Sequence, residues 1–237
     1  MGVGWVLDMT ARNSVVFLFD VDNTLLDNDR VTRDLKRHLS DTFGPERQAR
    51  YWAIFEEIRT ELGYADYLGA LQQYRIENPR DPGFLGMSIY LLGYPFANRM
   101  FPGCLDVIEK FAQWGPTVIL TDGDVVFQPR KIARSGLYEA VKGQVLIYIH
   151  KEHDLDDVEL RYPADHYVLI DDKLRILSAV KEIWGSKVTT VFPLQGHYAL
   201  DPEVIAKYPP ADIKVGSIGE LVNFELEELL AAAQPKA

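Results

Sequence analysis

The chain has 237 residues, 47% of them hydrophobic and 25% charged, enough for one domain or for one domain plus a small second one. A net charge of -10 and a pI near 5.0 disfavour nonspecific nucleic-acid and anionic-membrane partners, and no run approaches the roughly 20 apolar residues of a membrane span. The single cysteine, Cys104, excludes an intramolecular disulfide and a multi-cysteine zinc site and fits a reducing cytoplasm.

The N-terminus has no basic stretch followed by an apolar core, so no signal peptide is expected. Met1-Gly2 opens like a myristoylation acceptor, but Val6 stands where Ser or Thr is wanted. The first strong element is Val15–Phe19, a continuous apolar run that fits a strand buried on both faces, as in a parallel sheet. It ends abruptly in Asp20-Val21-Asp22-Asn23-Thr24. Ligands of open α/β sheets bind outside the carboxyl ends of such strands. Two carboxylates placed there repel unless a cation sits between them or one carries a proton. Taken alone, the same residues also read as a solvated acidic turn with a threonine cap. Asp27 and Asp29 read as part of a solvated loop, one of them a helix cap.

Residues 28–100 show no buried strand. They are rich in helix formers and aromatics, including Tyr51, Trp52, Phe55, Tyr64, Tyr67 and Tyr74, and Pro79–Gly83 is a loop that divides them. The segment reads as a mostly α-helical insertion with an aromatic core. A helix follows over Cys104–Trp114, with Cys104 an inert member. Next come a strand at Thr117–Leu120 that ends in Thr121-Asp122-Gly123, and a helix over Pro129–Ser135 stopped by Gly136. A strand at Val145–Ile149 ends in His150-Lys151, and one at Tyr167–Ile170 ends in Asp171-Asp172. The helix Lys173–Trp184 and strands at Lys187–Phe192 and Asp212–Val215 complete the series. Strands alternating with helices predict an α/β fold, a Rossmann-like parallel sheet flanked by helices. Residues 1–27 and 101–237 would form the core and 28–100 the insertion.

Parallel neighbours lie about 4.8 Å apart, so these strand ends can gather a nucleophile, a hydroxyl, a cation and metal ligands in one pocket. Phosphoryl transfer calls for that set, because its transition state spreads negative charge over the equatorial oxygens. A carboxylate can attack phosphorus once a lysine and a divalent cation offset the repulsion. Oxygen ligands with water suit Mg²⁺.

The same residues carry a resemblance. Asp20-Val21-Asp22-Asn23-Thr24, Thr121-Asp122-Gly123 and Ile170-Asp171-Asp172 resemble the first, second and fourth motifs of the haloacid dehalogenase-like hydrolase superfamily. Phe101-Pro102-Gly103 and Gln128-Pro129-Arg130-Lys131-Ile132, followed by Gly136-Leu137, are similar to the phosphoglycolate phosphatase type. The resemblance implies Asp20 as nucleophile and Asp22 as the acid that protonates the leaving oxygen and then activates water. It implies Thr121, Asp122 and Gly123 as the phosphate-holding set, with the hydroxyl of Thr121 and the backbone N–H of Gly123 on phosphoryl oxygens. Mg²⁺ would bind Asp20, the main-chain carbonyl of Asp22 and the fourth-motif acid. Asp172 aligns better as the direct ligand and Asp171 as one acting through water, although Lys173, where the family often has a small residue, leaves that choice open. The insertion resembles the family's helical cap, and the short span between the second and fourth motifs leaves no room for another.

Three lysines compete for the third motif. Lys142 precedes a strand and sits at the wrong end of the sheet. Lys131 lies in a helix that leads away. Lys151 follows a strand at the productive end, about 20 residues before the acids as in the family, and is the expected phosphate-binding and catalytic cation. His150 and His153 beside it read as incidental.

A Mg²⁺-dependent phosphatase acting on a small phosphorylated metabolite is the leading expectation. A dehalogenase or phosphomutase of the same superfamily, or a non-catalytic binding member, are the alternatives. The substrate is not readable. Arg59, Arg75 and Arg80 are candidates for a substrate carboxylate and, more plainly, surface residues. Oligomeric state stays open.

Overall fold

The computed structural model describes residues 12–233, so the Met1-Gly2 start and Val6 lie outside the described residues. Strand β1 spans Asn13–Phe19. After it come helices α1 (Asn28–Phe43), α2 (Pro45–Leu62), α3 (Tyr67–Glu77) and α4 (Phe84–Gly93), with no strand among them. The chain then alternates: α5 (Cys104–Phe111), β2 (Thr117–Asp122), α6 (Phe127–Ser135), α7 (Leu137–Ala140), β3 (Val145–Tyr148), α8 (Leu155–Arg161), β4 (Ala164–Ile170), α9 (Leu174–Trp184) and β5 (Val188–Pro193). Short helices α10 (Gly196–Leu200) and α11 (Pro202–Ile205) lead to β6 (Ile213–Val215) and α12 (Leu226–Ala232).

The six strands form one parallel sheet in the order β3-β2-β1-β4-β5-β6. The period-two geometry of β1 explains why its run is apolar throughout. Phe17 and Phe19 enter one buried cluster with Val107 and Phe111 of α5, and the Phe17 and Phe111 rings lie 4.6 Å apart. Val16 and Leu18 enter the opposite cluster with Leu177 and Val180 of α9. The first cluster continues without a break into Val31, Leu35, Tyr51 and Tyr67 of the helical insertion.

The insertion leaves and rejoins the core side by side. The carbonyl of Leu25 accepts from the N–H of Phe101 at 2.9 Å, and the N–H of Asp27 donates to the carbonyl of Arg99 at 2.8 Å. Asp27 caps α1 by accepting from the N–H of Arg30. Strand β3 stops one residue short of expectation, because the chain turns at exposed Ile149 into a single helical turn at Lys151–His153. Helix α8 was not legible in sequence: it is one short stretch with two buried residues, Leu155 and Val158, too few to show a period. No described helix is long and apolar enough to cross a membrane.

Candidate active site

The chain order turns at β1. From it the sheet grows outward to β2 and β3, then returns to add β4 on its other side. Ligand crevices of open sheets form at such switch points. Phe19 pairs in register with Ile170, and the N–H of Asp20 donates to the carbonyl of Ile170 at 3.0 Å. Backbone register alone therefore sets Asp20 beside Asp171, each the first residue beyond its strand.

Lys151 reaches this point from the far side of β2. Its ammonium donates to Asp20 Oδ1 at 2.6 Å and to the carbonyl of Leu120 at 3.1 Å, and lies 2.6 Å from Asp171 Oδ2 without a well-aligned hydrogen bond. Lys151 is 1% exposed and Asp171 and Asp172 are 0% exposed. Burial works against the ammonium's charge, but Asp171, Asp20 and Asp122 together outweigh it and hold the proton firmly. Burial pushes the Asp171 carboxyl up to about 6 against the pull of Lys151, and pushes Asp172 well above the usual carboxylate range against the pull of Lys173.

Asp20, Asp171 and Asp172 offer oxygens within 4.8 Å of one another. Asp20 Oδ2 and both oxygens of Asp172 are buried without a hydrogen-bond partner. An ionised carboxylate in that state is costly unless a cation completes it. Asp171 is already engaged, by the Lys173 N–H on Oδ1 at 2.8 Å and by Lys151. The donor set thus fits a divalent cation with Asp172 turned toward it. Its backbone is braced by Thr24, whose Oγ1 accepts from the N–H of Asp172 at 3.0 Å.

Asp22 lies apart from this cluster and faces an open cavity. Lys131 donates to both its oxygens, at 2.6 and 2.9 Å, and sits 3.3 Å from Asn28 Oδ1 in the first turn of α1. The sequence sets Lys131 aside because its helix leads away from the second strand, yet its side chain reaches the site. The helix does lead away from β2, but Lys131 lies on its buried stripe with Phe127 and Ile132. A lysine on an apolar stripe needs a buried anion, and that phase was the signal available in the sequence.

Thr121 is buried and its hydroxyl accepts from the Gln128 side chain at 3.0 Å. The Asp122 carboxylate accepts from the backbone N–H of Lys151 at 2.8 Å, so it anchors the lysine's turn, and burial raises its pKa despite Lys151. Gly123 differs from expectation. Its N–H donates to the carbonyl of Tyr148 at 3.0 Å, because the β2–β3 ladder runs one residue past the strand, so this N–H does not face a phosphate. A Cβ there would lie 2.7 Å from Gln128, which is why the position takes glycine. Lys142 sits in an exposed turn before β3, at the opposite sheet end. Cys104 is buried and its thiol is pushed up to about 11 by that burial.

No family model matches the sequence, and no curated protein does. Solved structures do. A haloacid dehalogenase-like hydrolase of Burkholderia xenovorans is 62% identical, with 90% of this chain and 99% of that chain covered at a TM-score of 0.86. The chain belongs to the haloacid dehalogenase-like hydrolases. A family hydrolase of Xanthomonas campestris is similar in fold at 17% identity, covering 94% and 95% of the two chains with a TM-score of 0.64. A magnesium-bound hydrolase of Bacillus subtilis is similar in fold at 17% identity, covering 90% and 100% with a TM-score of 0.58.

In this hydrolase the helical insertion roofs the strand ends and leaves a cavity of about 680 Å³ lined by both parts. Asp22 and Asp122 line it from the sheet, Trp52, Phe55 and Tyr67 from the insertion. Of the three arginines singled out by sequence, Arg59 lines the cavity, bonded to Tyr198 and Glu56, while Arg75 rests on the Phe84 ring and Arg80 is exposed. Asp29 is no solvated loop residue. Its carboxylate accepts from the His197 N–H at 2.8 Å, meets the His197 ring at 2.7 Å and bonds to Asn23. Burial tends to raise the Asp29 pKa, but His197 and Asn23 bring it below the usual value. Asn23 adopts a left-handed backbone with φ of 62°, and a Cβ at Gly196 would lie 2.4 Å from its side chain, so this joint needs glycine at 196. His150 is packed against Gly63 of the insertion, and His153 is exposed.

Proposed function

We propose that this hydrolase is a Mg²⁺-dependent phosphatase that cleaves a small phosphate monoester through a phosphorylated Asp20. The observation that carries the reading is the buried Asp20–Asp171–Asp172 cluster with the two oxygens of Asp172 unpartnered. A dehalogenase would use Asp20 without a cation, and has no need of that cluster or of Asp22. The magnesium carried by the Bacillus subtilis hydrolase of similar fold also supports it.

The bound ion would be held by Asp20, Asp172 and the Asp22 carbonyl, with Asp171 close by, and would supply charge neutralisation for the approaching phosphate. Lys151 steadies Asp20 and places a fixed positive charge beside it. A carboxylate oxygen of Asp20 bonds to phosphorus as the bond to the leaving oxygen breaks, and the Asp22 carboxylic acid gives that oxygen its proton. Asp22, now ionised, takes a proton from water, which adds to phosphorus and breaks the bond to Asp20. Inorganic phosphate leaves and both aspartates return to their starting states. Asp22 suits both roles because it faces the cavity, whereas Asp20 is sealed. The insertion excludes water and reads the leaving group. A small phosphorylated metabolite in a reducing cytoplasm remains the expected setting.

The test is hydrolysis of p-nitrophenyl phosphate and acetyl phosphate by purified protein. Activity that disappears with EDTA and returns with Mg²⁺ supports the proposal. Full activity in metal-free buffer, or release of halide from 2-haloacids with no phosphatase activity, overturns it.

A further inference from the structure

The cavity holds more positive charge than one phosphate needs. Arg33 and Lys36 of α1 line it from the insertion, three residues apart on one helix face, and Lys173 and Lys207 line it from the core. Among the described residues, none of these four has a carboxylate oxygen within the 4.0 Å of an ion pair. The carboxylates that share the lining are engaged elsewhere: Asp22 by Lys131, Asp29 by His197, Glu56 by Arg59 and Asp122 by the Lys151 backbone. Two of the cations rest on rings instead. The Lys36 ammonium lies 4.4 Å from the centre of Trp52, and that of Lys173 5.6 Å from the centre of Tyr198.

Lys173 is compensated by the charges of Asp172, Asp20 and Asp171, which leaves Arg33, Lys36 and Lys207 without a partner carboxylate. In a chain of net charge -10, a concave surface with three such cations is a local reversal of field. Low-dielectric walls strengthen such a field and draw anions in. The scissile phosphate is already provided for by Lys151 and by the cation that Asp20 and Asp172 would hold. The second set faces the volume where the leaving group would sit. That volume, about 680 Å³, falls within the range of ordinary organic ligands and far exceeds a two-carbon group.

The geometry points to a substrate whose leaving group carries an anionic group of its own, a carboxylate or second phosphate remote from the scissile ester, bound between the Arg33–Lys36 face and Lys207. This rests on the phosphatase reading above for the reaction, but not for the binding.

Matched pairs test it: glycerol 3-phosphate against 3-phosphoglycerate, and fructose 6-phosphate against fructose 1,6-bisphosphate. Turnover is measured with Mg²⁺, and binding is measured by calorimetry on Asp20→Asn. The anionic member of each pair should be preferred by about tenfold or more in kcat/KM, mostly through KM, and should bind more tightly by a similar factor. The preference should shrink as salt rises and fall to about threefold or less in the Lys36→Met/Lys207→Met double variant. Hydrolysis without discrimination within either pair, with equal affinities, overturns the inference while leaving the phosphatase intact. Discrimination in binding with no phosphate released sustains the subsite and removes the phosphatase. A preference unchanged in the folded double variant also overturns the assignment.

Discussion

Two buried lysine–aspartate pairs flank the strand ends, and they are built differently. Lys151–Asp20 is sealed, with side chains 1% and 4% exposed, and its geometry follows from strand register. Lys131–Asp22 has an equally buried lysine but an aspartate 23% exposed to the cavity, and its lysine also touches Asn28, where the insertion begins. The first pair belongs wholly to the core. The second stands at the joint between core and insertion. A nucleophile gains from a fixed, dry position, whereas a group that must give and take protons needs access to leaving group and water.

The largest effects should fall on the sealed pair. Asp20→Asn should lower kcat by about 10⁴-fold or more, and Lys151→Ala by about 10²- to 10³-fold. Circular dichroism and melting should show Asp20→Asn folded. More than a few per cent of wild-type kcat in Asp20→Asn, with contaminating phosphatase excluded, would end the assignment.

The joint pair comes next. Lys131→Met should cost about 10- to 100-fold in kcat with a smaller change in KM, because Asp22 loses its anchor while the substrate contacts remain. Lys142→Ala, at the other end of the sheet, should leave the rate within about twofold. Equal behaviour of the two variants would mean that Lys131 is only a structural counterion.

A third comparison uses pH. The folded-state pKa of Asp171 is raised to about 6 from a usual 3.8, so folding favours its protonated form. Its contribution to stability is present below the unfolded value and lost as pH rises through 6. Metal-free protein should therefore lose about 1–3 kcal/mol between about pH 4 and 6 relative to Asp171→Asn. The depressed pKa of Asp29 has the opposite sign: its contribution is present above the unfolded value and lost as pH falls below it. Melting curves in EDTA over that range should show the Asp171 component, and parallel profiles for wild type and Asp171→Asn would refute it.

The smallest effect should come from the outer latch. His197→Ala removes the ring contact to Asp29 but keeps the backbone N–H bond, leaves the acid cluster untouched, and should change kcat/KM by about two- to fivefold. A loss as large as that of Lys131→Met would place the latch inside the chemistry.

The strand-end chemistry was open to reading because parallel strands put all their carboxyl ends on one side. Asp20, Asp22, Asp122, Lys151, Asp171 and Asp172 each follow an apolar run, so alternation alone assigns them to one edge. The resemblance added roles, and strand register supplied the contacts. Side-chain direction and N–H use were not open in the same way. Lys131 lies within a helix and Lys151 follows a strand, and only the packing shows that one serves Asp22 and the other Asp20. Gly123 has the right motif, but its N–H is taken by a ladder whose length depends on β3. The latch joins Asp29 to His197 across 168 positions, and the cavity cations come from α1, the start of α9 and the segment after α11. Local sequence determines which residues end a strand or share a helix face, since those depend on neighbours along the chain. Which faces meet across a cavity depends on how elements far apart in sequence pack, and that only the tertiary structure decided.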